Sequence, residues 1–357
     1  MRTIRFEHLR KTYAGSPALS DIDLTIEPDT LTVICGPPAA GKSVLLRLLV
    51  GLEPPTAGRI LFDDIDITHL DAADRTIGYV PQSFALFPHM SVFDNVAYPL
   101  ALQGAPRAEI TRRVGQAAEV LRITSLLRKR PSELSGGEKQ RAAIARGITK
   151  DAHIFVLDDP LVGLDFKLRE SLMEELVDMR AELGATFVYA TADPLEALIM
   201  AEQLVVLDAG HVVDANRADA LYHEPRHLRA AELVGFPRCN VIHGELEAGI
   251  CSTPLRRFPV VVEAAPTREV AVVIRPEQIT YNGNEPSTTS GEIRLLENLG
   301  AESVVHFTAA GQRLVTTAPT PTVAHLDLGD HFPFTLRPEG LLVFDRASGQ
   351  RVGRGHA

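Results

Sequence analysis

Short apolar runs alternate with segments of helical spacing through the first two thirds of the chain. Four of the runs are continuous and rich in branched or aromatic side chains, as buried parallel strands are. They lie at residues 31–35, 154–157, 185–190 and 204–207. Between them, apolar residues recur with helical periodicity, as at 44–52 and 169–183. The alternation predicts a parallel α/β sheet. From about 105 to 147 the pattern is helical without a strand-like run, which predicts an inserted helical lobe.

The pattern changes near residues 235–237, Gly-Phe-Pro. Beyond this point the runs are short and alternating, and Gly, Pro, Asn and Asp separate them at a spacing of about 8–12 residues, which is typical of an all-β barrel or sandwich. They lie at residues 241–246, 260–263, 270–275, 292–296, 303–307, 313–316, 332–336 and 341–344. We therefore predict two domains, 1–235 and 236–357, with a helical subdomain at about 83–147 in the first.

Chain length agrees with two domains, and composition limits the kinds of partner that the protein can have. A chain of 357 residues is too long for one compact core. The 36 basic and 46 acidic residues give a net charge of −10, which argues against a general nucleic-acid binder. The cysteines, Cys35, Cys239 and Cys251, are scattered, as expected in a reducing compartment. We expect neither a signal peptide nor a transmembrane helix, so work at a membrane would require docking onto another protein.

Residues 36–43, Gly-Pro-Pro-Ala-Ala-Gly-Lys-Ser, match G-x-x-x-x-G-K-[ST] between a predicted strand and a predicted helix. Backbone N–H groups of such a loop can cradle phosphates. Lys42 would neutralise the β- and γ-phosphates, and the Ser43 hydroxyl would hold Mg²⁺. The alternative, a chance glycine-rich turn, is disfavoured because the strand and helix are both predicted. The candidate nucleotide-binding residues here are Gly36, Pro37, Pro38, Ala39, Ala40, Gly41, Lys42, Ser43 and Val44.

Two further features strengthen this interpretation. Asp158 ends an apolar strand, where a carboxylate can hold hydrated Mg²⁺, although an aspartate there can also simply cap a helix. Residues 134–140 are Leu-Ser-Gly-Gly-Glu-Lys-Gln, in which Ser135 and Glu138 fit a capping box. Capping does not explain Gly136 and Gly137, which reduce helix stability there. Bare N–H groups at a helix N-terminus invite a phosphate, so Ser135, Gly136 and Gly137 are candidate nucleotide contacts.

With these motifs the chain resembles the ATP-binding subunits of ABC transporters over essentially its whole length. The resemblance implies a P-loop (RecA-like) domain that binds ATP and Mg²⁺, with residues 134–140 as its signature motif. It implies that Tyr13 stacks on adenine and that Gln82 reaches the metal and the attacking water. Asp159 stands at the position of the catalytic carboxylate, and residues 161–165 match the D-loop.

The resemblance extends to partners. Residues 83–100 are similar to the groove that receives a coupling helix, although ordinary core packing would also explain their apolar side chains. Residues 273–277 and 342–345 are similar to the accessory OB-like domain of importers of sugars, polyols and glycerol phosphates. This implies a peripheral protein on the cytoplasmic face of the inner membrane. Its expected partners are two permease subunits, a second ATP-binding subunit and, indirectly, a solute-binding protein, without nucleic acid.

Four departures from the family pattern fall around one nucleotide. Ala192 replaces a histidine that contacts the γ-phosphate, and a methyl group cannot donate a hydrogen bond or relay a proton. Asp159 replaces a longer glutamate, and a displacement of about 1 Å can reduce a rate on the order of 100-fold. Pro38-Ala39 replaces Ser-Gly, and Val44 replaces threonine.

Because the signature motif is kept, these departures predict a heterodimer with a second, competent ATPase. In that heterodimer the site formed by this chain's own phosphate loop would turn over slowly. The alternatives are a self-sufficient homodimer that tolerates the changes and a non-transport ABC protein. The latter would be expected to have a long coiled-coil insertion or tandem ATPase halves, and neither is recognisable in the sequence.

Overall fold

The computed structural model describes residues 3–150, 152–263, 268–281 and 289–356. Two compact units divide the chain, one ending at Ala218 and the other beginning at Asp219. The pattern of apolar and polar residues changes further along the chain, near residue 236. The predicted domain limits, 1–235 and 236–357, stay a prediction. Within the described part of the chain, no helix has the length and apolarity needed to cross a membrane.

The first unit mixes strands and helices. Its strands are β1 (Ile4–Tyr13), β2 (Ser16–Ile26), β3 (Leu31–Cys35), β4 (Ala57–Phe62), β5 (Ile65–Asp66), β6 (Ile77–Val80), β7 (Ile154–Asp158), β8 (Thr186–Thr191), β9 (Gln203–Asp208) and β10 (His211–Arg217). Its helices are α1 (Lys42–Val50), α2 (Val92–Leu102), α3 (Arg107–Val120), α4 (Gly136–Thr149), α5 (Phe166–Leu183) and α6 (Pro194–Met200), with short 3₁₀ turns at Thr124–Leu126 and Pro131–Glu133.

The central sheet has the order β10-β9-β3-β8-β7-β6. Strands β6, β7, β8, β3 and β9 run parallel, and only the pairing of β10 with β9 is antiparallel among the described strands of this sheet. The prediction of a parallel α/β sheet is confirmed. The carboxyl ends of β3, β7 and β8 therefore lie side by side at one edge, which is where ligands bind in open α/β sheets.

A second, antiparallel sheet with the order β2-β1-β4-β5 belongs to the same unit. The sequence analysis missed it because its strands alternate buried and exposed residues, and register shifts after Phe6 and Leu9 interrupt that alternation. Helix α1 joins the two sheets, since its leucines are fully buried in one cluster with residues of both. The helix that follows the phosphate loop is thus anchored in the core of the unit.

The predicted helical lobe is present. Helix α4 contacts α2, α3 and β6. Helix α2 begins at a capping box formed by Ser91 and Asp94. The lobe connects to the parallel sheet through the segment that follows β6, which carries Gln82.

The second unit is mainly β. Its strands are β11 (Asn240–Glu247), β12 (Ile250–Ser252), β13 (Arg257–Val262), β14 (Glu269–Ile274), β15 (Ile279–Tyr281), β16 (Ser290–Asn298), β17 (Glu302–Ala309), β18 (Gln312–Pro319), β19 (His331–Leu336), β20 (Leu342–Asp345) and β21 (Arg351–Gly355). Its helices are α7 (Ala218–His223), α8 (Leu228–Leu233) and α9 (Thr320–Val323), with 3₁₀ turns at Pro276–Gln278 and Pro338–Gly340.

These strands form a closed barrel, β11-β12-β13-β21-β20-β14, and a sheet of order β15-β19-β16-β17-β18. The predicted all-β OB-like domain is confirmed. Strands β12, β15 and β21 are short and were not predicted from the sequence. Buried Arg275 donates to the carbonyl oxygens of Ala231, Val234 and Tyr222, at 3.1, 2.6 and 2.7 Å, and so ties β14 to the helices that precede the barrel.

Candidate nucleotide-binding site

The loop between β3 and α1 is shaped by its glycines. A Cβ added at Gly36 would overlap the carbonyl oxygen of Leu207, so only glycine fits this close approach of two strands. Gly41 has φ +107°, in the left-handed region, immediately before α1. Ala39 also lies in that region, with φ +64°, and it is exposed. A β-carbon is unfavourable in such a conformation, which glycine adopts freely.

At the start of α1, Lys42 and Ser43 face the end of β7. The Lys42 ammonium donates to the carbonyl oxygens of Gly36 and Pro37 at 2.8 and 3.1 Å. The Ser43 hydroxyl donates to Oδ1 of Asp158 at 2.8 Å. A hydroxyl and a carboxylate in contact at a phosphate loop are suitable oxygen ligands for Mg²⁺. Of the predicted metal-binding residues, the structure therefore brings Ser43 and Asp158 together.

The two carboxylates at the end of β7 are in an environment that favours their protonated forms. Burial raises the pKa of Asp158, and hydrogen bonds from Ser43 and Tyr79 offset part of this effect. Burial also raises the pKa of Asp159, while Lys42 and the backbone N–H of Ala192 act in the opposite direction. A bound divalent cation would favour the charged carboxylates, so cation binding and deprotonation are coupled at this position.

The turn after β8 presents no functional side chain at its tip. Ala192 is exposed there, between buried Thr191 and Asp193, whose carboxylate caps α6 by accepting from Leu195 N at 2.8 Å. The backbone N–H of Asp159 donates to Ala190 O at 3.0 Å, so the strand ends that carry Asp159 and Ala192 are neighbours. The sequence prediction that these two positions lie together is consistent with this pairing, and their catalytic roles stay predictions.

A buried network supports this turn, and the sequence analysis missed it. Glu196 accepts hydrogen bonds from the hydroxyls of Tyr189 and Thr191, at 2.8 and 2.7 Å. Arg169 of α5 pairs with Asp193 at 3.1 Å and lies 3.7 Å from Glu196. The alternating polar residues at the end of an otherwise apolar strand, Tyr189 and Thr191, were the available signal. The network fixes the position of the turn although its tip has no reactive group.

Tyr13 lies at the end of β1 and is 41 % exposed. Its hydroxyl donates to the carboxylate of Glu53, which also pairs with Arg47 at 2.7 Å and with Lys11 at 3.3 Å. The aromatic ring is thus available at the surface but is held by its hydroxyl. Tyr13 was predicted from the sequence, whereas the charged residues around it were not.

Gln82 is exposed, two residues beyond β6, and no hydrogen bond connects it with the phosphate loop. The loop that follows it is strained, since Phe84 and Ala85 both have positive φ, +60° and +48°. Arg146 of α4 donates to their carbonyl oxygens at 2.9 and 2.6 Å, which fixes the loop on the helical lobe. The structure therefore places Gln82 at the junction between the lobe and the sheet.

The signature segment opens α4. The Ser135 side chain accepts from Glu138 N at 3.3 Å, and Glu138 accepts from Ser135 N at 2.7 Å, which confirms the predicted capping box. A Cβ added at Gly137 would lie 2.6 Å from the terminal methyl group of Leu168, so a larger residue there would require that leucine side chain to move. A Cβ added at Gly136 would meet nothing within 4 Å, and this residue is exposed. No contact with the residues that the structure describes explains a glycine at 136.

Among the predicted site residues, the phosphate loop, Ser43, Asp158 and Asp159 are close to one another, and Ala192 is their neighbour. Ser135, Gly136 and Gly137 lie on the helical lobe, at the other end of α4 from the Arg146 contact. A phosphate loop at the carboxyl edge of a parallel sheet, with a Ser–Asp pair at its helix and a helical lobe inserted after β6, defines the class of P-loop ATPases.

Comparison with known proteins narrows the class. Residues 19–162 match the family described as "ABC transporter", and residues 272–344 match the "TOBE domain". The sn-glycerol-3-phosphate import ATP-binding protein UgpC of Bordetella avium is 35 % identical over 361 residues, which is 99 % of each chain. The ABC transporter ATP-binding protein YurJ of Bacillus subtilis is 34 % identical, over 99 % of this chain and 100 % of its own. The chain belongs to the ATP-binding subunits of ABC transporters and is an ATPase of that type.

Solved structures agree for the first unit. The dimeric, post-hydrolysis ATP-binding cassette MJ0796 bound to ADP and Pi is similar to this chain with a TM-score of 0.57 and 29 % identity, covering 60 % of this chain and 98 % of that protein. The cassette cbiO1 of Clostridium perfringens, part of the cbiONQ transporter complex, gives the same TM-score at 31 % identity, covering 64 % of this chain and 94 % of that protein.

Proposed function

We propose that this chain is the ATP-binding subunit of an ABC importer and couples ATP binding and hydrolysis to uptake of a carbohydrate, polyol or glycerol-type solute. The observation that carries the proposal is the pair of half-sites in one unit. One is the phosphate loop with its Ser43–Asp158 contact, and the other is the open Gly136 at a capped helix end. Full-length similarity to sn-glycerol-3-phosphate import ATP-binding proteins supports the solute class.

In this proposal, ATP·Mg²⁺ binds at the carboxyl edge of the parallel sheet. Backbone N–H groups of residues 36–44 hold the phosphates, and Lys42 neutralises them. The Mg²⁺ ligands are Ser43, Asp158 and Gln82, of which Gln82 would have to approach by movement of its loop. Tyr13 stacks on adenine. The signature residues Ser135, Gly136 and Gly137 contact the nucleotide of a second ATP-binding chain, since no contact within this chain requires glycine at 136.

The proposed assembly contains two membrane-spanning permease subunits and a second ATP-binding chain. A solute-binding protein outside the membrane takes part indirectly, and nucleic acid has no role. The chain would be peripheral, on the cytoplasmic face of the inner membrane. The acidic net charge of −10 agrees with docking onto protein rather than onto an anionic lipid surface.

We further propose that the chain's own phosphate loop supports slow hydrolysis and that the second ATP-binding chain is a different, competent one. Ala192 offers only a methyl group and a backbone N–H beside Asp159. Asp159 itself has φ +49°, a conformation that aspartate tolerates better than most residues. A short carboxylate held toward the Ala192 N–H has less reach to a water at the γ-phosphate than a glutamate has.

The second candidate is a self-sufficient homodimer. The dimeric structure of MJ0796 favours it, because that cassette forms a dimer and is similar to the first unit. The two candidates differ in whether the chain alone turns over ATP at a useful rate.

Phosphate release by the purified chain, alone and with a candidate second ATP-binding chain, tests the proposal. We expect slow phosphate release by the chain alone and much faster release in the mixture. The rate measured with Lys42→Ala serves as the background rate. The double variant Ala192→His, Asp159→Glu should raise turnover of the chain alone. Rapid release by the unaltered chain alone would favour the homodimer and refute slow hydrolysis. Uptake of labelled glycerol 3-phosphate and of sugars by cells with and without the chain tests the solute class.

A further inference from the structure

The carboxylate of Glu53 contacts three side chains, those of Tyr13, Lys11 and Arg47. Its Oε2 accepts from the Tyr13 hydroxyl and lies 3.3 Å from the Lys11 ammonium, and its Oε1 accepts from Arg47 Nε at 2.7 Å. Lys11 also donates to Pro54 O at 2.7 Å and is almost fully buried. The carboxylate is therefore neutralised by two cations and holds a neutral phenol.

The partners of Glu53 come from the two ends of the proposed nucleotide site. Tyr13 and Lys11 belong to β1, whereas Arg47 belongs to α1, the helix that begins at Lys42. Arg47 lies five positions after Lys42, a rise of about 8 Å along the helix axis. Since α1 is anchored in the core, its two ends cannot move independently. Glu53 thus fixes the aromatic ring relative to the phosphate loop.

Lys11 also constrains the ring directly. Its ammonium lies 4.9 Å from the centroid of the Tyr13 ring, in cation–π geometry. The ring nevertheless stays 41 % exposed, so aromatic surface remains for a ligand. A planar base stacking there would meet a ring that the hydroxyl contact and the cation already hold in place, and it would lose less conformational entropy on binding.

We propose that Glu53 is a positioning residue for the base: it holds Tyr13 at the distance from the phosphate loop that ATP requires. This inference rests on the proposed function of Tyr13 and deepens it. Glu53 would contribute to the binding of ligands that carry a base and would have no specific role in binding the phosphate chain alone.

A purely structural role predicts a different outcome. Ion pairs that are partly exposed contribute little to folding. If Glu53 only stabilised the fold, its removal would lower stability and would affect every ligand of the phosphate loop alike. A positioning role instead changes the preference between ligands with and without a base.

The test compares two ligands, ATP and inorganic tripolyphosphate, both with Mg²⁺, by titration calorimetry on the full chain. A substitution that changes the net charge of the chain affects the affinities for both anionic ligands, so the ratio of the two affinities largely removes that effect. The variants are Glu53→Ala, Tyr13→Phe, which keeps the ring but loses the hydroxyl, and Tyr13→Ala, which loses the ring. Glu109→Ala is the matched control, because Glu109 is also paired with an arginine, Arg112, at 2.7 Å on α3.

Tyr13→Ala should weaken ATP binding about ten-fold, since stacking of a base on an aromatic side chain contributes about 1–3 kcal/mol. Glu53→Ala and Tyr13→Phe should each weaken it by about three- to five-fold, and combining them should add little, because both break one contact. Tripolyphosphate binding should change by the same small factor in Glu53→Ala and Glu109→Ala. Tyr13→Ala and Tyr13→Phe should leave it unchanged.

Equal loss of both ligands in Glu53→Ala would overturn the inference, and so would unchanged ATP binding. If Glu53→Ala fails to fold, Tyr13→Phe alone decides, because it breaks the contact and keeps every charge. Failure of the proposed function would look different: either the unaltered chain would not bind ATP, or Tyr13→Ala would bind it as well as the unaltered chain does.

Discussion

Ala39 provides a test of the phosphate loop in which strain can be separated from contact. Its φ of +64° places an L-residue in the left-handed region, at an estimated cost of about 1–2 kcal/mol. Ala39→Gly removes that cost. The greater conformational freedom of glycine in the unfolded chain offsets about 0.5–1 kcal/mol of the resulting stabilisation. Because Ala39 is exposed, no packing is lost. The expected net effect is stabilisation by about 0.5–1 kcal/mol.

The neighbouring Ala40 is the matched control. Ala40 is 2 % exposed and lies outside the left-handed region. Ala40→Gly removes a buried methyl group and increases the conformational freedom of the unfolded chain, and both effects destabilise the fold. We expect destabilisation by about 1–2 kcal/mol. Thermal unfolding followed by circular dichroism measures both variants. For a unit of this size, Tm should rise about 2 °C in Ala39→Gly and fall about 4 °C in Ala40→Gly. A fall in both would refute the assignment of strain to Ala39.

Further substitutions test the surroundings of the site. Asp158→Asn should raise Tm of the Mg²⁺-free chain at neutral pH and abolish the effect of Mg²⁺ on ATP affinity. Burial raises the pKa of Asp158 in the folded chain, so the charged carboxylate opposes folding above that pKa. The Tm gain should shrink as the pH falls below the raised pKa and vanish near the ordinary pKa that an aspartate has in the unfolded chain. Arg146→Ala should lower stability in urea by about 2 kcal/mol, because two charged hydrogen bonds are lost; Arg146→Lys should lose less. Gly136→Ala should leave Tm unchanged or higher, because an added Cβ meets nothing within 4 Å, and should still reduce ATP turnover of the assembled transporter.

The contacts of the phosphate loop are separate from those of the turn after β8. The Ser43–Asp158 contact and the α1 anchor need no residue from the turn after β8. The turn is well supported by Glu196 and Arg169 although its tip is Ala192. The turn is therefore held in place by buried contacts while its tip carries only a methyl group, and the proposed slow hydrolysis depends on that tip.

Local patterns in the sequence were sufficient for the parallel sheet, the helical lobe, the capping box at Ser135 and the all-β second unit. Each of these depends on interactions within a short segment: continuous apolar runs for buried strands, helical periodicity for helices, and a cap three residues from its partner. The alternating strands β1 and β2 were missed because bulges break their period.

The sequence by itself determined the chemical inventory of this protein, since a phosphate loop, a strand-end carboxylate and a glycine-rich helix start are recognisable from spacing alone. The tertiary structure decided which charges support those groups. Glu53 meets Tyr13 across 40 residues of chain, and Arg146 reaches the Phe84 carbonyl across 62. Such contacts depend on how helices and strands pack, and long-range packing leaves no periodic signal in a single sequence.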